Sequence, residues 1–167
     1  MSRQKKPTIE PVEYSVADAI ENGLSDLTTL RDELQEWYDN MPENFQSGDK
    51  GSQLEEAIGE LDEAENVDHD ALTGSTDDDG NACEPASLRF NFMRSTKKRQ
   101  SRADRCDEAT SLLRSAHECV TEWLDGATEN DDGGKDRDDD GTIADALSEV
   151  QDVIDRAEGV TFPGMFG

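Results

Sequence analysis

The chain has few of the residues that build a large hydrophobic core. Hydrophobic residues make up 32% of its 167 residues and aromatic residues only 5%, well below the usual apolar share of a globular domain. No apolar run approaches the roughly 18 residues that a membrane-spanning helix needs, so we expect no membrane protein. The basic start, Met1 to Pro7, has no apolar segment behind it, so we predict no signal peptide.

Residues that usually carry catalysis or hold metals are also scarce. The chain has three cysteines, Cys83, Cys106 and Cys119, with no Cys-x-x-Cys pair, and only two histidines, His69 and His117. This cysteine usage favours reduced, buried thiols in a cytoplasmic setting. No glycine-rich phosphate loop, zinc-ligand spacing or convincing nucleophile–base pair occurs. We therefore expect a protein that is not an enzyme and that needs no cofactor, calcium excepted as discussed below.

Positive charge is the third shortage. The chain carries 16 Lys and Arg against 41 Asp and Glu, a formal charge of −25. The surplus carboxylates repel one another in any compact state. A basic partner, bound cations or high salt would each reduce this repulsion. The bases are concentrated in a basic collar, which consists of Arg94, Lys97, Lys98, Arg99, Arg102 and Arg105. We interpret the collar as a counter-charge to the acidic loops, within the chain or towards a partner. Because the rest of the chain would repel a polyanion, we expect no direct nucleic-acid binding.

Apolar residues nevertheless recur with steps of three and four, which predicts four amphipathic helices. The apolar stripes span residues 16–41, 54–64, 106–123 and 143–157. Ser15, Ser52 and Thr142 are predicted as the N-caps of the first, second and fourth helices.

The second half of the chain repeats the first. The segment around Glu36-Trp37 recurs around Glu122-Trp123 at an offset of 86, and residues 61–67 match residues 154–160 at an offset of 93. We interpret this as a duplicated helical hairpin, in which a long helix precedes a short one. The sequence therefore predicts an all-α, four-helix-bundle-like fold with acidic loops. Chance similarity between acidic helices is the alternative.

Composition divides the chain into five segments. They are a flexible N-terminus at 1–14, a first helical hairpin at 15–67, an acidic flexible linker at 68–86, a second helical hairpin at 87–160 and an apolar C-terminal tail at 161–167. Leu88, Phe90 and Phe92 alternate as in a short strand, but Leu88 and Phe92 also suit a helical pair, and we favour an early start to the third helix. We predict that the tail covers the end of the bundle; an exposed docking peptide is the alternative.

One local motif resembles a calcium loop. Asp136, Asp138 and Asp140 precede Gly141 with the spacing of the first oxygen ligands of an EF-hand. The twelfth position, where a bidentate Glu normally closes the site, is Leu147, a residue of the predicted core stripe. Two interpretations stay open: a weak calcium site, and an acidic turn in which Gly141 adopts positive φ.

Carboxylates lie off the apolar stripes of the first and last helices. The predicted partner-binding acidic face consists of Asp18, Glu21, Asp32, Glu36 and Asp39 on the first helix and Asp145, Glu149 and Asp152 on the last. Carboxylates one helical turn apart are about 5–6 Å from each other, which is comparable to successive phosphates along a nucleic-acid strand. The face therefore favours a module that binds a basic protein surface, for example as a nucleic-acid mimic. A solvated surface, generic or adapted to high salt, is the alternative.

The stretch Leu34 to Ser47, Leu-Gln-Glu-Trp-Tyr-Asp-Asn-Met-Pro-Glu-Asn-Phe-Gln-Ser, resembles a segment of small uncharacterised proteins of bacteriophages and archaeal viruses. The resemblance covers barely a tenth of the chain. It implies a viral or mobile-element origin, with the host cytoplasm or the virion as location, and no particular activity. Three functions stay open: binding to a basic surface of a host DNA-binding or defence protein, assembly with itself or with other virion proteins in a virus particle, and weak calcium binding.

Overall fold

The computed structural model describes residues 9–74, 79–80, 85–96, 101–129, 141–160 and 162. The elements, in chain order, are β1 (Ile9–Ser15), α1 (Val16–Asn40), α2 (Glu43–Gln46), α3 (Asp49–Asp62), a 3-10 turn (Glu63–Glu65), α4 (Asp70–Thr73), β2 (Arg89–Ser95), α5 (Arg102–Glu129) and α6 (Thr142–Glu158). The described chain is mostly helical, as the sequence predicts, and carries one small two-stranded sheet that the predicted class does not include.

The first helix forms where the apolar stripe predicts it. The Ser15 side-chain oxygen accepts the backbone N–H of Asp18 at 3.1 Å, so Ser15 is the N-cap of α1. The apolar residues of the stripe are buried from Val16 to Leu34, whereas Trp37 and Met41 are partly buried. The helix ends just before Pro42, which disfavours helical backbone in the residue that precedes it. Both the helix and its cap are therefore confirmed.

The core lies between the four longer helices. α1 packs against α3 and α5, and α6 packs against the same two helices, so α1 and α6 lie on opposite sides of the core. Along the α1–α5 contact, Glu33 meets Arg105 whereas Gly23 meets Leu113, so the two helices run antiparallel. A Cβ atom at Gly23 would lie 2.5 Å from Leu113 Cγ. The glycine therefore allows the two longest helices to approach closely.

The sheet joins the start of the chain to its middle. β1 and β2 pair antiparallel, with Val12 opposite Phe92 at the centre. The Tyr14 ring lies 6.3 Å from the Phe90 ring and 6.4 Å from the Phe92 ring, centroid to centroid. The predicted flexible N-terminus is therefore wrong from residue 9 onward, because those residues are held by a strand distant in sequence. The early helical start at 88–92 is also wrong: the alternation of apolar residues was the correct signal.

Two predicted helix starts need correction. α3 begins at Asp49, three residues before Ser52, and Gly48 occupies its N-cap position. At α6 the N-cap position is Gly141, with φ of 75°, so Thr142 is the first helical residue and not the cap. In both cases the N-cap position holds a glycine and not the predicted hydroxyl residue. Only Gly141 uses the conformational freedom of glycine, because Gly48, with φ of −89°, has a backbone that any residue adopts.

The predicted linker is partly structured. Leu72 of α4 is fully buried, and α4 contacts both α1 and α6. Near the other end of the segment, the Ala86 carbonyl accepts the backbone N–H of Ala17 at 3.2 Å. The prediction of a flexible linker is therefore wrong for 68–74 and 85–86. Of the predicted tail, Phe162 is partly buried against the core, and residues 161 and 163–167 lie outside the described part of the chain.

Candidate acidic binding surface

The five acids predicted on the first helix form one narrow stripe. Asp18, Glu21, Asp32, Glu36 and Asp39 are all exposed. At 100° per residue they fall within a sector of about 60°, opposite the buried side of α1. From first to last they span about 32 Å at 1.5 Å per residue. We call these five residues the α1 stripe.

Arg31 touches this stripe but does not neutralise it. Its guanidinium donates to Asp32 Oδ1 at 2.7 Å and to Asp62 Oδ1 at 2.6 Å, and it also pairs with Glu65. One positive charge is thus divided among three carboxylates. The contacts tie α1 to the end of α3 and to the 3-10 turn, so Arg31 mainly holds the fold together.

A second stripe lies on α5. It consists of Asp104, Asp107, Glu118, Glu122 and Asp125, which are all exposed. We call these residues the α5 stripe. These residues are not among the predicted site residues. The offset of 86 is the signal that could have found them, because it carries the α1 stripe onto α5.

The acids predicted on the last helix lie elsewhere. Asp145 and Glu149 of α6 line a groove of about 410 Å³ together with Asp68 and Asp70, from the segment that leads into α4. Asp152 lines a smaller hollow beside it, of about 110 Å³. Because α6 and α1 lie on opposite sides of the core, the structure separates the predicted acidic face into two surfaces.

Two of the three described arginines of the basic collar form ion pairs with helix carboxylates. The Arg105 guanidinium donates to both carboxylate oxygens of Glu33, at 3.0 and 2.5 Å. Arg94 Nε donates to Glu108 Oε1 at 2.7 Å, and Arg94 Nη1 donates to the Tyr14 hydroxyl at 2.7 Å. These arginines join β2 and α1 to α5. Lys97, Lys98 and Arg99 of the collar lie outside the described residues.

The third described arginine of the collar stacks on an aromatic ring. The Arg102 guanidinium carbon lies 5.3 Å from the Trp37 ring centroid, and Lys50 Nζ lies 5.7 Å from the same centroid. Arg102 Nε also comes within 4.0 Å of Glu33. These geometries suit cation–π attraction. Trp37 thus connects the end of α1 with the starts of α3 and α5.

Glu33 and Asp26, two carboxylates near the collar arginines, have pKa values that are shifted in opposite directions. The hydrogen bonds from Arg105 hold the pKa of Glu33 below its ordinary value. Burial raises the pKa of Asp26, although Arg94 and Arg105 oppose that rise. The network therefore contains one carboxylate that the fold stabilises as an anion and one that it does not.

Little in the described residues suggests catalysis or metal binding. Burial raises the pKa of the Cys106 thiol to about 11 and lowers the pKa of His117, so the thiol is a poor nucleophile at neutral pH. No group of His, Cys, Asp and Glu residues within the described ranges has the geometry of a metal site. Asp136, Asp138 and Asp140, the candidate calcium ligands, lie outside those ranges. Leu147 is buried, at 7% exposure.

We expect Glu36 and Asp39, the last two acids of the α1 stripe, to destabilise the folded protein. Glu36 and Asp39 lie close to the C-terminus of α1, whose last turn carries no basic residue and where the helix dipole disfavours negative charge. Replacing both, as Glu36→Gln with Asp39→Asn, should raise the melting temperature by about 2–4 °C at low salt. The gain should shrink at high salt, where the wild-type protein itself becomes more stable because its charges are screened. A lower melting temperature for the double variant at low salt would contradict this expectation.

Comparison with known proteins adds no independent assignment. No protein-family model, no curated protein and no solved structure matches this chain. Within the described residues, no helix is both long and apolar enough to cross a bilayer. Function therefore has to be inferred from the acidic surfaces themselves.

Proposed function

We propose that this chain is a non-enzymatic, strongly acidic helical module that binds a basic surface of another protein and mimics a nucleic acid there. The observation that carries the proposal is the α1 stripe, with its five exposed carboxylates on one face of a helix. A basic groove that binds a phosphate backbone gains free energy from counterion release and is reached faster through electrostatic steering. A rigid row of carboxylates about 32 Å long offers the same two gains.

The position of the acids favours binding over mere solvation. Asp39 lies in the last turn of α1, where the helix dipole disfavours it, and the whole chain already carries a charge of −25. Acidic residues at positions where they destabilise the fold are typical of surfaces that bind a partner. The implied viral or mobile-element origin fits a target among host DNA-binding or defence proteins.

The finer fold is part of the proposal: two duplicated hairpins that form a four-helix bundle. The offset of 93 carries residues 49–65, α3 with the 3-10 turn, onto residues 142–158, the full length of α6. The offset of 86 carries the first residue of α1 onto the first residue of α5. Ser101 accepts the backbone N–H of Asp104 at 3.0 Å, just as Ser15 accepts that of Asp18. Matching boundaries and matching caps support a repeat more strongly than shared acidity would.

An assembly role receives less support. Large hydrophobic side chains that are exposed in the described residues amount to Ile9, Phe45 and Met93. Ile9 and Met93 lie on the small sheet, whereas Phe45 lies on α2, at a separate place in the fold. Three residues at two places are a small apolar surface compared with the interfaces of stable oligomers.

The test is affinity capture from a native host lysate at about 50 mM and about 500 mM salt, with heparin as competitor. Three forms are compared: the wild type, a stripe variant (Glu21→Gln, Asp32→Asn, Glu36→Gln) and a charge-matched groove variant (Asp70→Asn, Asp145→Asn, Glu149→Gln). We expect the wild type and the groove variant to retain a basic protein at low salt only, and heparin to displace it. The stripe variant should retain much less of it. Capture that ignores salt and heparin, or that the stripe variant keeps in full, would refute the proposal.

A further inference from the structure

The two stripes correspond position by position. At the offset of 86, the pairs are Asp18 with Asp104, Glu21 with Asp107, Asp32 with Glu118, Glu36 with Glu122 and Asp39 with Asp125. All ten residues are exposed. Because the two sets have the same spacing, the α5 acids also fall within a sector of about 60° on their helix. Not every position of the two helices corresponds in this way: Asp26, for example, corresponds to the buried Leu112.

The packing relates the two stripes by a local two-fold rotation. α1 and α5 are neighbours and run antiparallel, as the Glu33–Arg105 and Gly23–Leu113 contacts show. The strands that precede them are also antiparallel, and Val12 lies opposite Phe92 at the middle of the pair. In an isologous interface, equivalent elements of two copies pack antiparallel against each other across a two-fold axis, and α1 and α5 have this arrangement within one chain. The chain thus presents the same acidic stripe twice, in opposite directions.

We infer that the partner is a homodimer with two equivalent basic patches, and that one chain bridges both patches across the two-fold axis of that dimer. The inference rests on the proposed function and specifies the partner's symmetry. A partner with one basic patch would bind only one stripe. The other stripe would contact no basic patch and would only increase the electrostatic repulsion within the chain. With two patches, the second contact is intramolecular and increases the overall affinity without any new kind of interaction.

The charge pattern sets the chemistry of each patch. One stripe presents two acids near the start of its helix, Asp18 and Glu21, and three near its end. The outward residues between the two groups, Ser25 and Thr29, are uncharged. A complementary patch therefore carries Lys or Arg side chains in two groups separated by about three helical turns.

The test uses synthetic peptides of known valence. One probe is a disulfide-linked dimer of a helical peptide with two groups of Lys and Arg on one face; the other is the same peptide as a monomer, with its cysteine alkylated. Titration calorimetry is performed on the full chain at about 50 mM salt. We expect two monomers or one dimer to bind each chain, and the dimer to bind about 10–100-fold more tightly than the monomer.

Matched variants separate the two stripes. One variant carries Glu21→Gln, Asp32→Asn and Glu36→Gln; the other carries the equivalent changes Asp107→Asn, Glu118→Gln and Glu122→Gln. Each should remove one monomer site and reduce the affinity for the dimer to about that for the monomer. Circular dichroism checks that both variants remain folded.

The possible failures are distinguishable. If the wild type binds the monomer but gains nothing from the dimer, or if only one variant affects binding, the two-fold inference is wrong while the proposed function stands. If neither peptide binds the wild type at low salt, both the inference and the proposed function are wrong.

Discussion

Gly51→Ala should destabilise the protein by about 3 kcal/mol. Gly51 is buried near the start of α3, and a Cβ atom there would lie 2.0 Å from the Gln46 carbonyl oxygen and 2.7 Å from Gln46 Cα. These are backbone atoms of α2 and of its junction with α3, so no side-chain rotation can relieve the overlap. The connection between α2 and α3 would have to move.

Gly59→Ala is the matched control in the same helix. Nothing lies within 4 Å of the position where its Cβ would be, and the residue is exposed. Alanine there should stabilise the protein by about 0.5–1 kcal/mol, since it costs less backbone entropy than glycine in a helix. Urea unfolding of both variants, at a salt concentration that screens the net charge, measures the difference. Equal midpoints for the two variants would show that Gln46 does not pack on Gly51.

The long helices could be predicted from the sequence because their signal is local and repeated. Between Val16 and Leu34 the apolar residues recur every three or four positions, and a buried side of α1 follows directly. The start of α3 could not be predicted in this way. Gly48 occupies the N-cap position without a side-chain hydrogen bond, so no polar side chain marks this start, and Ser52, the predicted N-cap, lies inside the helix.

β1 and the buried part of the linker lack such a signal. β1 contains Pro11, its apolar residues are few, and its partner β2 follows about 80 residues later in the chain. In a polar segment, Leu72 is a single apolar residue, and a single residue has no period. Both features depend on long-range contacts with the helices, which the sequence does not encode locally.

For the candidate site, exposure was predictable but arrangement was not. All eight acids of the predicted face are exposed, as residues off an apolar stripe should be. Whether helices lie side by side or across a core depends on packing, and the packing places α6 away from α1 and brings α5 beside it. The same holds for the collar: its charge was plain from composition, but Glu33 and Glu108 as partners of Arg105 and Arg94 were not.

Glu33→Gln should destabilise the protein at neutral pH by about 1–2 kcal/mol, a figure that already allows for the one-third exposure of the pair. The Glu33 carboxylate accepts two hydrogen bonds from Arg105, and an amide can replace only one of them. Because Arg105 lowers the pKa of Glu33, the folded state favours its anion. The stabilisation of the folded state by the Glu33 anion is fully present above the pKa that Glu33 has in the unfolded chain. It is lost as the pH falls through the lower pKa that Glu33 has in the folded state. The wild type and the variant should therefore converge in stability in acid, below the ordinary glutamate range.

Asp26→Asn, seven residues earlier on the same helix, should show the opposite pH dependence. Burial raises the pKa of Asp26, so the folded state favours its protonated form. Its contribution to stability is present at low pH and is lost as the pH rises through the folded-state pKa, so the variant should gain stability relative to the wild type between acid and neutral pH. Urea midpoints measured from about pH 3 to pH 7 compare the two slopes. Parallel profiles for the two variants would mean that Arg105 does not distinguish Glu33 from Asp26. Opposite slopes would support the ion pair of Arg105 with Glu33 as part of the α1–α5 contact.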